Sequence, residues 1–268
     1  NLTNLTERIH PLYLYWMNKN MIDTIMFDLD GTLVPMDQQE FVESYMKYLV
    51  LRFAPQGFDT QLIIKALLAG VKAMMDNRGA ATNDVCFWDT FLSIVPDEEC
   101  LFRNQIDDFY QNEFRKVEEV VHKSPLPRKI IDELKSKGYR LILATNPLFP
   151  KCAVETRLSW AGLNADDFSY ITTYDNCRCC KPHLTYYRDI IHECHLDADY
   201  CMMVGNNVKE DMCVRKLNTR MKMYLIADYL ENPLDEFIGI YPHGSLEDFA
   251  GEVENMPEVP KRVNPFKE

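Results

Sequence analysis

The chain has 268 residues, 47% of them hydrophobic, enough to bury a sizeable core as one large domain with a small one beside it. Its formal net charge of −12, from 41 acidic against 29 basic residues, excludes nucleic acid as a bulk partner, because phosphate backbones are held mainly by Lys and Arg. No run of about twenty apolar residues is present, so no membrane span is expected, and nine cysteines, an odd number, read as reduced thiols of a cytoplasmic protein.

Residues 1–20 read as an N-terminal extension. The apolar stretch Pro11 to Met17 is too short, and too polar at its flanks, for a secretory signal. Without a signal, the glycosylation triplets Asn1-Leu2-Thr3 and Asn4-Leu5-Thr6 carry no meaning, and Met17 and Met21 lie just before the first predicted strand. That strand is the apolar run Thr24-Ile25-Met26-Phe27, which ends in Asp28-Leu29-Asp30-Gly31-Thr32-Leu33. In open α/β sheets ligands bind outside the carboxyl ends of strands. There a carboxylate ionised at neutral pH is a nucleophile toward phosphorus, and a second one, resisting ionisation beside the first, carries a proton. Asp28 fits the first role and Asp30 the second, although an isolated D-x-D-G is as readily explained as turn chemistry. Companion residues must decide.

About a hundred residues separate this turn from the next strand-like run, too many for an ordinary α/β connection, so an inserted domain is expected. Its pattern is helical: Phe41, Tyr45, Tyr48 and Leu49 recur at helical spacing, as do Ile63, Leu67 and Val71, then Phe87, Phe91 and Ile94, then Phe102, Ile106 and Phe109. Such faces build the insertion's own core sooner than a ligand box. Linkers near Val34-Pro35 and Ser124-Pro125-Leu126-Pro127 bound it, and prolines at both crossings suit a stiff, defined swing.

After the second linker, Leu141-Ile142-Leu143-Ala144-Thr145-Asn146 is an apolar strand ending in a hydroxyl and an amide. Asn146 is expected to cap a following helix with Pro147 at its first position, leaving free amides beside the Thr145 hydroxyl as a phosphate site. Tyr170 to Thr173 reads as a strand and Tyr186 to Glu193 as a helix, with Cys180-Lys181-Pro182 between them. The run Cys201-Met202-Met203-Val204 then leads into Gly205-Asn206-Asn207-Val208-Lys209-Glu210-Asp211. Asn207 with Glu210 three residues later reads as a capping box, which leaves Asp211 as the better functional candidate. Cys177, Cys179, Cys180 and His183, with His192, Cys194 and His195, do not match the paired spacings of structural zinc.

Taken in order, these four strand ends resemble the motifs of the haloacid dehalogenase superfamily, from about Ile22 to Ala250, and the insertion resembles the helical (C1-type) cap of its phosphoglycolate phosphatase-like subgroup. The resemblance implies an α/β fold: a Rossmann-like three-layer core with a central parallel sheet, formed by residues 21–35 and 123–255, with an all-helical cap domain over 36–122 and a tail over 256–268. It implies a Mg2+-dependent phosphatase that hydrolyses a small phosphorylated metabolite through an aspartyl-phosphate. Asp28 is then the nucleophile, Asp30 the acid/base, and Thr145 and Lys181 the other catalytic groups. Gly31, Thr32, Thr145, Asn146 and Lys181 surround the phosphate, while Asp28, the Asp30 carbonyl, Asn206 and Asp211 hold the metal. The chain departs from the pattern at Asn206, where the family usually has Asp. Alternatives implied alongside are a phosphomutase, which would share every motif, and a catalytically silent phospholigand-binding module, which Asn206 would suit. A cytoplasmic monomer or weak dimer is expected, with no nucleic acid or membrane partner.

Overall fold

The computed structural model describes residues 22–95 and 101–260. The predicted extension over 1–20 lies outside them, as does the end of the predicted tail. Six parallel strands form one sheet in the order β3-β2-β1-β4-β5-β6. They are β1 (Thr24–Phe27), β2 (Arg140–Leu143), β3 (Tyr170–Ile171), β4 (Cys201–Gly205), β5 (Lys222–Ile226) and β6 (His243–Gly244). β1 is buried at all four positions, as a strand covered on both faces must be, and pairs in register with β2 (Phe27 opposite Leu143) and β4 (Phe27 opposite Val204).

Alternation of side chains sorts the two faces. Ile25, Phe27, Leu141, Leu143 and Val204 point into one layer with α5 (Leu126–Ser136), α6 (Lys151–Trp160) and α8 (Leu246–Asn255). Met26, Ile142, Ala144, Cys201 and Met203 point into the other, against α7 (Leu184–Glu193) and a short 3-10 segment, Met212–Lys216. The chain runs outward from β1 through β2 to β3, then returns to β4 and runs outward the other way. The strand order therefore reverses beside β1, and a crevice opens at the carboxyl ends of β1 and β4.

Between β1 and α5 the described residues form α1 (Gln38–Phe53), α2 (Thr60–Asp76), α3 (Asn83–Ile94) and α4 (Leu101–Gln111), followed by a 3-10 stretch, Glu113–Val120. Asp37 starts α1 by accepting from the Gln39 and Glu40 amides, and Asp59 starts α2 in the same way. The apolar faces meet in an aromatic core in which Phe102 stacks between Phe53 and Phe91, each pair of centroids 4.7 Å apart. The two crossings lie side by side, the His122 amide donating to the Pro35 carbonyl at 2.8 Å. The insertion is docked on the sheet layer: Phe114 packs on Trp160 of α6, and the buried Asn83 side chain donates to the Pro147 carbonyl at 3.1 Å. Beyond α8 the chain stays attached, the Val259 amide donating to the Lys137 carbonyl at 2.8 Å.

One sequence expectation fails here. No helix begins at Asn146; α6 starts at Lys151 after the turn Pro147–Pro150. Phe149 precedes a proline and is thereby driven out of helical conformation, so the helix cannot begin earlier.

Candidate active site

Asp28 directly follows β1, its amide donating to the Val204 carbonyl of β4 at 2.9 Å, so the strand pairing itself fixes the residue in the crevice. The chain then turns at Gly31, whose φ of +77° favours glycine. A Cβ there would also lie 2.2 Å from the Asn206 side-chain nitrogen. This double constraint explains the glycine of D-x-D-G-T-L and brings Asp30, Thr32 and Asn206 together.

Lys181 is 1% exposed and donates from Nζ to Asp28 Oδ1 and to Asp211 Oδ1, both at 2.7 Å. Burial alone would lower the ammonium's pKa, but the Asp211 and Asp28 charges prevail and hold it well above the usual lysine range. Asp211 is fully buried, and its second oxygen accepts from the Asn207 amide at 3.0 Å. Burial pushes its pKa up to about 6, with Lys181 opposing and the Asp28 charge reinforcing. Gly205 makes room for it, since a Cβ at that position would fall 2.2 Å from Asp211 Oδ2.

Asp30 is paired with a residue that the sequence pattern did not single out. Arg157, on α6 and 1% exposed, forms an ion pair with Asp30 Oδ2 through Nη1 while its guanidinium lies 4.4 Å from the Phe149 ring centroid. Burial pushes the Asp30 carboxyl up to about 6, Arg157 pulls against that, and the Asp28 charge adds to it. Asp30 Oδ1 and Arg157 Nη2 are both buried without a hydrogen-bond partner. A sequence signal for Arg157 does exist: it sits on the helix face of Ala153, Val154, Leu158 and Trp160, where a cation is out of place.

Asn206 is held from two sides. Its Nδ2 donates to the Tyr229 carbonyl at 2.6 Å, and its Oδ1 accepts from Thr32 Oγ1, 3.2 Å away; the same hydroxyl lies 3.3 Å from Asp28 Oδ2. The amide is thus the group its neighbours require, because a carboxylate would set an acceptor against the Tyr229 carbonyl. Thr145 lines the pocket, its own carbonyl tied by the Thr172 and Tyr186 hydroxyls at 2.7 and 2.8 Å. Asn146 braces the loops: its Oδ1 accepts from the Lys181 amide at 3.2 Å, and its Nδ2 donates to Glu210 Oε2 at 3.0 Å.

That last bond corrects the capping-box reading. The Glu210 amide does donate to Asn207 Oδ1, at 2.9 Å, but the Glu210 side chain turns to Asn146 and lines the pocket. Burial pushes its pKa up to about 7 against the pull of Lys181. Glu231 joins it, accepting from Asn207 Nδ2 at 2.6 Å. The resulting pocket, about 160 Å³, is lined by the carboxylates of Asp28, Asp30, Glu210, Asp211 and Glu231, with Arg157 in its wall and Lys181 beneath it. Five carboxylates against two cations leave negative charge uncompensated, and Asp30 Oδ1 is an orphaned acceptor. These are hard oxygen donors, the chemistry that Mg2+ takes. Among the described residues no three His, Cys, Asp or Glu side chains are arranged to hold a metal by themselves, so backbone carbonyl, amide oxygen and water would have to complete its shell.

A haloacid dehalogenase-like hydrolase family model matches residues 22–212, a span that takes in all four strand ends. The chain belongs to this family. Pyrophosphatase PpaX of Bacillus velezensis is 24% identical over 204 residues, covering 76% of this chain and 83% of that protein. Among solved structures, a HAD phosphatase from Thermococcus onnurineus matches with a TM-score of 0.56 at 15% identity, covering 89% of this chain and all of that one. The HAD-hydrolase YfnB of Bacillus subtilis, solved bound to magnesium, matches at 0.52 and 18%, covering 87% and 99%. L-2-haloacid dehalogenase from Xanthobacter autotrophicus matches at 0.50 and 18%, covering 88% and 100%. Phosphatase and dehalogenase share this fold, so within the family the reaction must be argued from the side chains. No helix among the described residues is long and apolar enough to cross a membrane.

Proposed function

We propose that this member of the family is a Mg2+-dependent phosphatase acting on a small phosphorylated metabolite, with Asp28 as nucleophile and Asp30 as acid/base. The observation that carries the reading is the buried Lys181 ammonium, 2.7 Å from both Asp28 and Asp211, beside a second aspartate whose carboxyl is pushed up to about 6. One carboxylate is oriented by a cation; the other is poised to carry a proton near neutral pH. A displacement of halide needs no proton for its leaving group, so Asp30 favours phosphate chemistry over dehalogenation.

In the first step an Asp28 carboxylate oxygen forms a bond to phosphorus as the bond to the ester oxygen breaks, and the proton on Asp30 goes to the departing alkoxide. In the second, Asp30 takes a proton from water, whose oxygen attacks phosphorus; inorganic phosphate leaves and Asp28 is regenerated. Thr145, Thr32 and Gly31 border the phosphoryl group, and Lys181 offsets its charge while fixing Asp28. Asp211, with both oxygens engaged, acts through Lys181, and Asn146 braces that loop. Asp28, the Asp30 carbonyl and Asn206 Oδ1 are the groups that would hold Mg2+, with Asp211 behind them; the ion supplies positive charge against the phosphoryl oxygens. Residues 36–122 serve as the cap that excludes water from the aspartyl-phosphate.

The test is phosphate release from a panel of phosphorylated metabolites, with Mg2+ and with EDTA, by the wild-type chain and by Asp28→Asn. Release that needs Mg2+ and disappears in the variant is expected; a variant that still turns over rules out the covalent mechanism. Isomerisation without phosphate release would instead mark a mutase.

A further inference from the structure

The helical insertion forms a second hollow, about 220 Å³, between α1, α2, α3, α4 and the turn Leu148–Pro150, open to solvent beside the exposed Val42 and Leu68. Gln38, Leu148 and Phe149 line both this cavity and the carboxylate pocket, so the two abut at that wall. Their chemistry is opposite. The cavity walls are aromatic and aliphatic, with Trp88, Phe87, Leu67 and Val71 prominent and Asp107 the one carboxylate among the described residues. The Tyr45 and Tyr110 hydroxyls bond each other at 3.2 Å and Trp88 bonds Tyr174, while the other polar side chains of the wall, Gln38 and Asp107, are exposed at its edge. A charged or heavily hydroxylated guest would find few partners among the aromatic and aliphatic walls and would lose hydration there.

Protein interiors are close-packed, and a void of this size forfeits the contacts its walls would make with a guest. An apolar cavity of about 150 Å³ is enough to hold benzene. From its size, its walls and the wall it shares with the carboxylate pocket, we propose that this cavity receives the leaving group of the substrate, and that the substrate is the phosphomonoester of an aliphatic or single-ring aromatic alcohol. The phosphoryl group lies at Asp28, the ester oxygen passes Leu148 and Phe149 toward Asp30, and the apolar tail fills the hollow. The inference rests on the phosphatase reading of the neighbouring pocket and adds to it the class of alcohol released.

The test uses ethyl, butyl and hexyl phosphate, a series in which the leaving alcohol changes in length and little in acidity. The wild type is expected to raise kcat/KM by about fourfold per added methylene until the cavity is full, on the order of a hundredfold from ethyl to hexyl. Val71→Trp, which fills the cavity from α2, and Val42→Trp, which fills it from the more exposed α1 side, are expected to bring the hexyl-to-ethyl ratio toward one. A flat series in a wild type that hydrolyses ethyl phosphate overturns the proposal and leaves the phosphatase reading standing. So does a steep series that both variants retain. Release from no member counts against the phosphatase reading, and the cavity is then judged by Trp88 fluorescence. A change with hexyl phosphate that is absent with ethyl phosphate and absent in Trp88→Phe supports the assignment, and no such change overturns it.

Discussion

Replacing Lys181 by Met removes the cation that two buried carboxylates share. Each contact is 2.7 Å long, and Lys181 and Asp211 are 1% and 0% exposed, so no solvent stands ready to take the ammonium's place. At an effective dielectric of about 20, Coulomb's law gives roughly 6 kcal/mol for each contact, before the desolvation of the partners is subtracted. Breaking a buried pair by removing one member costs ~3–5 kcal/mol net, a large share of the ~5–15 kcal/mol that stabilises a typical domain. Urea unfolding in EDTA at pH 7 should show that loss. Lys181→Met with Asp211→Asn should recover at least ~1.5 kcal/mol of it, because one stranded charge is gone. Acidification should also help the single variant: Asp211, already pushed up to about 6 and now without the cation that lowers it, takes up a proton in the folded state before the unfolded chain does, so stability rises as pH falls from 7 toward 5. A loss below ~1 kcal/mol that is independent of pH and additive with Asp211→Asn would show that Lys181 is solvated and that the charge argument is wrong.

Asn206→Asp should lower the Mg2+ concentration needed for half-maximal phosphate release, since it adds a carboxylate at a proposed ligand position. It should also cost ~1–3 kcal/mol of stability in EDTA by setting an acceptor against the Tyr229 carbonyl now bonded at 2.6 Å. A Mg2+ titration and a melt read the two effects separately, and an unchanged titration would remove Asn206 from the metal's shell. Arg157→Gln deletes the cation that pulls the Asp30 pKa down, so the feature of the pH–rate profile due to Asp30 should move to higher pH; no movement would mean that Asp30 does not set that feature. In EDTA the wild-type chain should gain stability from these groups as pH falls from about 7 toward 4. Asp30 and Asp211 at about 6 and Glu210 at about 7 all lie above the ordinary values of 3.8 and 4.5, so the native state binds protons first. Glu210→Gln should flatten the part of that slope between pH 5 and 7, and urea midpoints across the range would reveal an unaltered slope if Glu210 were solvated.

The sheet and the helical insertion were legible because their signals are local. Thr24–Phe27 and Cys201–Val204 are continuous apolar runs, as strands covered on both faces must be, and the aromatic spacing from Phe41 to Phe109 repeats at the period of a helix. Such patterns are set by neighbours along the chain, and they also set Asp28, Thr145, Lys181 and Asn206 at the ends of consecutive elements. What tertiary structure alone decided depends on residues far apart in sequence. Arg157 reaches Asp30 across 127 positions, and Asn206 is oriented by the Tyr229 carbonyl 23 residues on. Glu210 looked like a cap because its amide does bond Asn207, yet Asn146, 64 residues away, claims its side chain. The late start of α6 was readable from Phe149-Pro150, whereas the apolar cavity was not: periodicity tells which helix faces turn inward, but whether those faces fill the space between them is settled only when four helices and a turn are brought together.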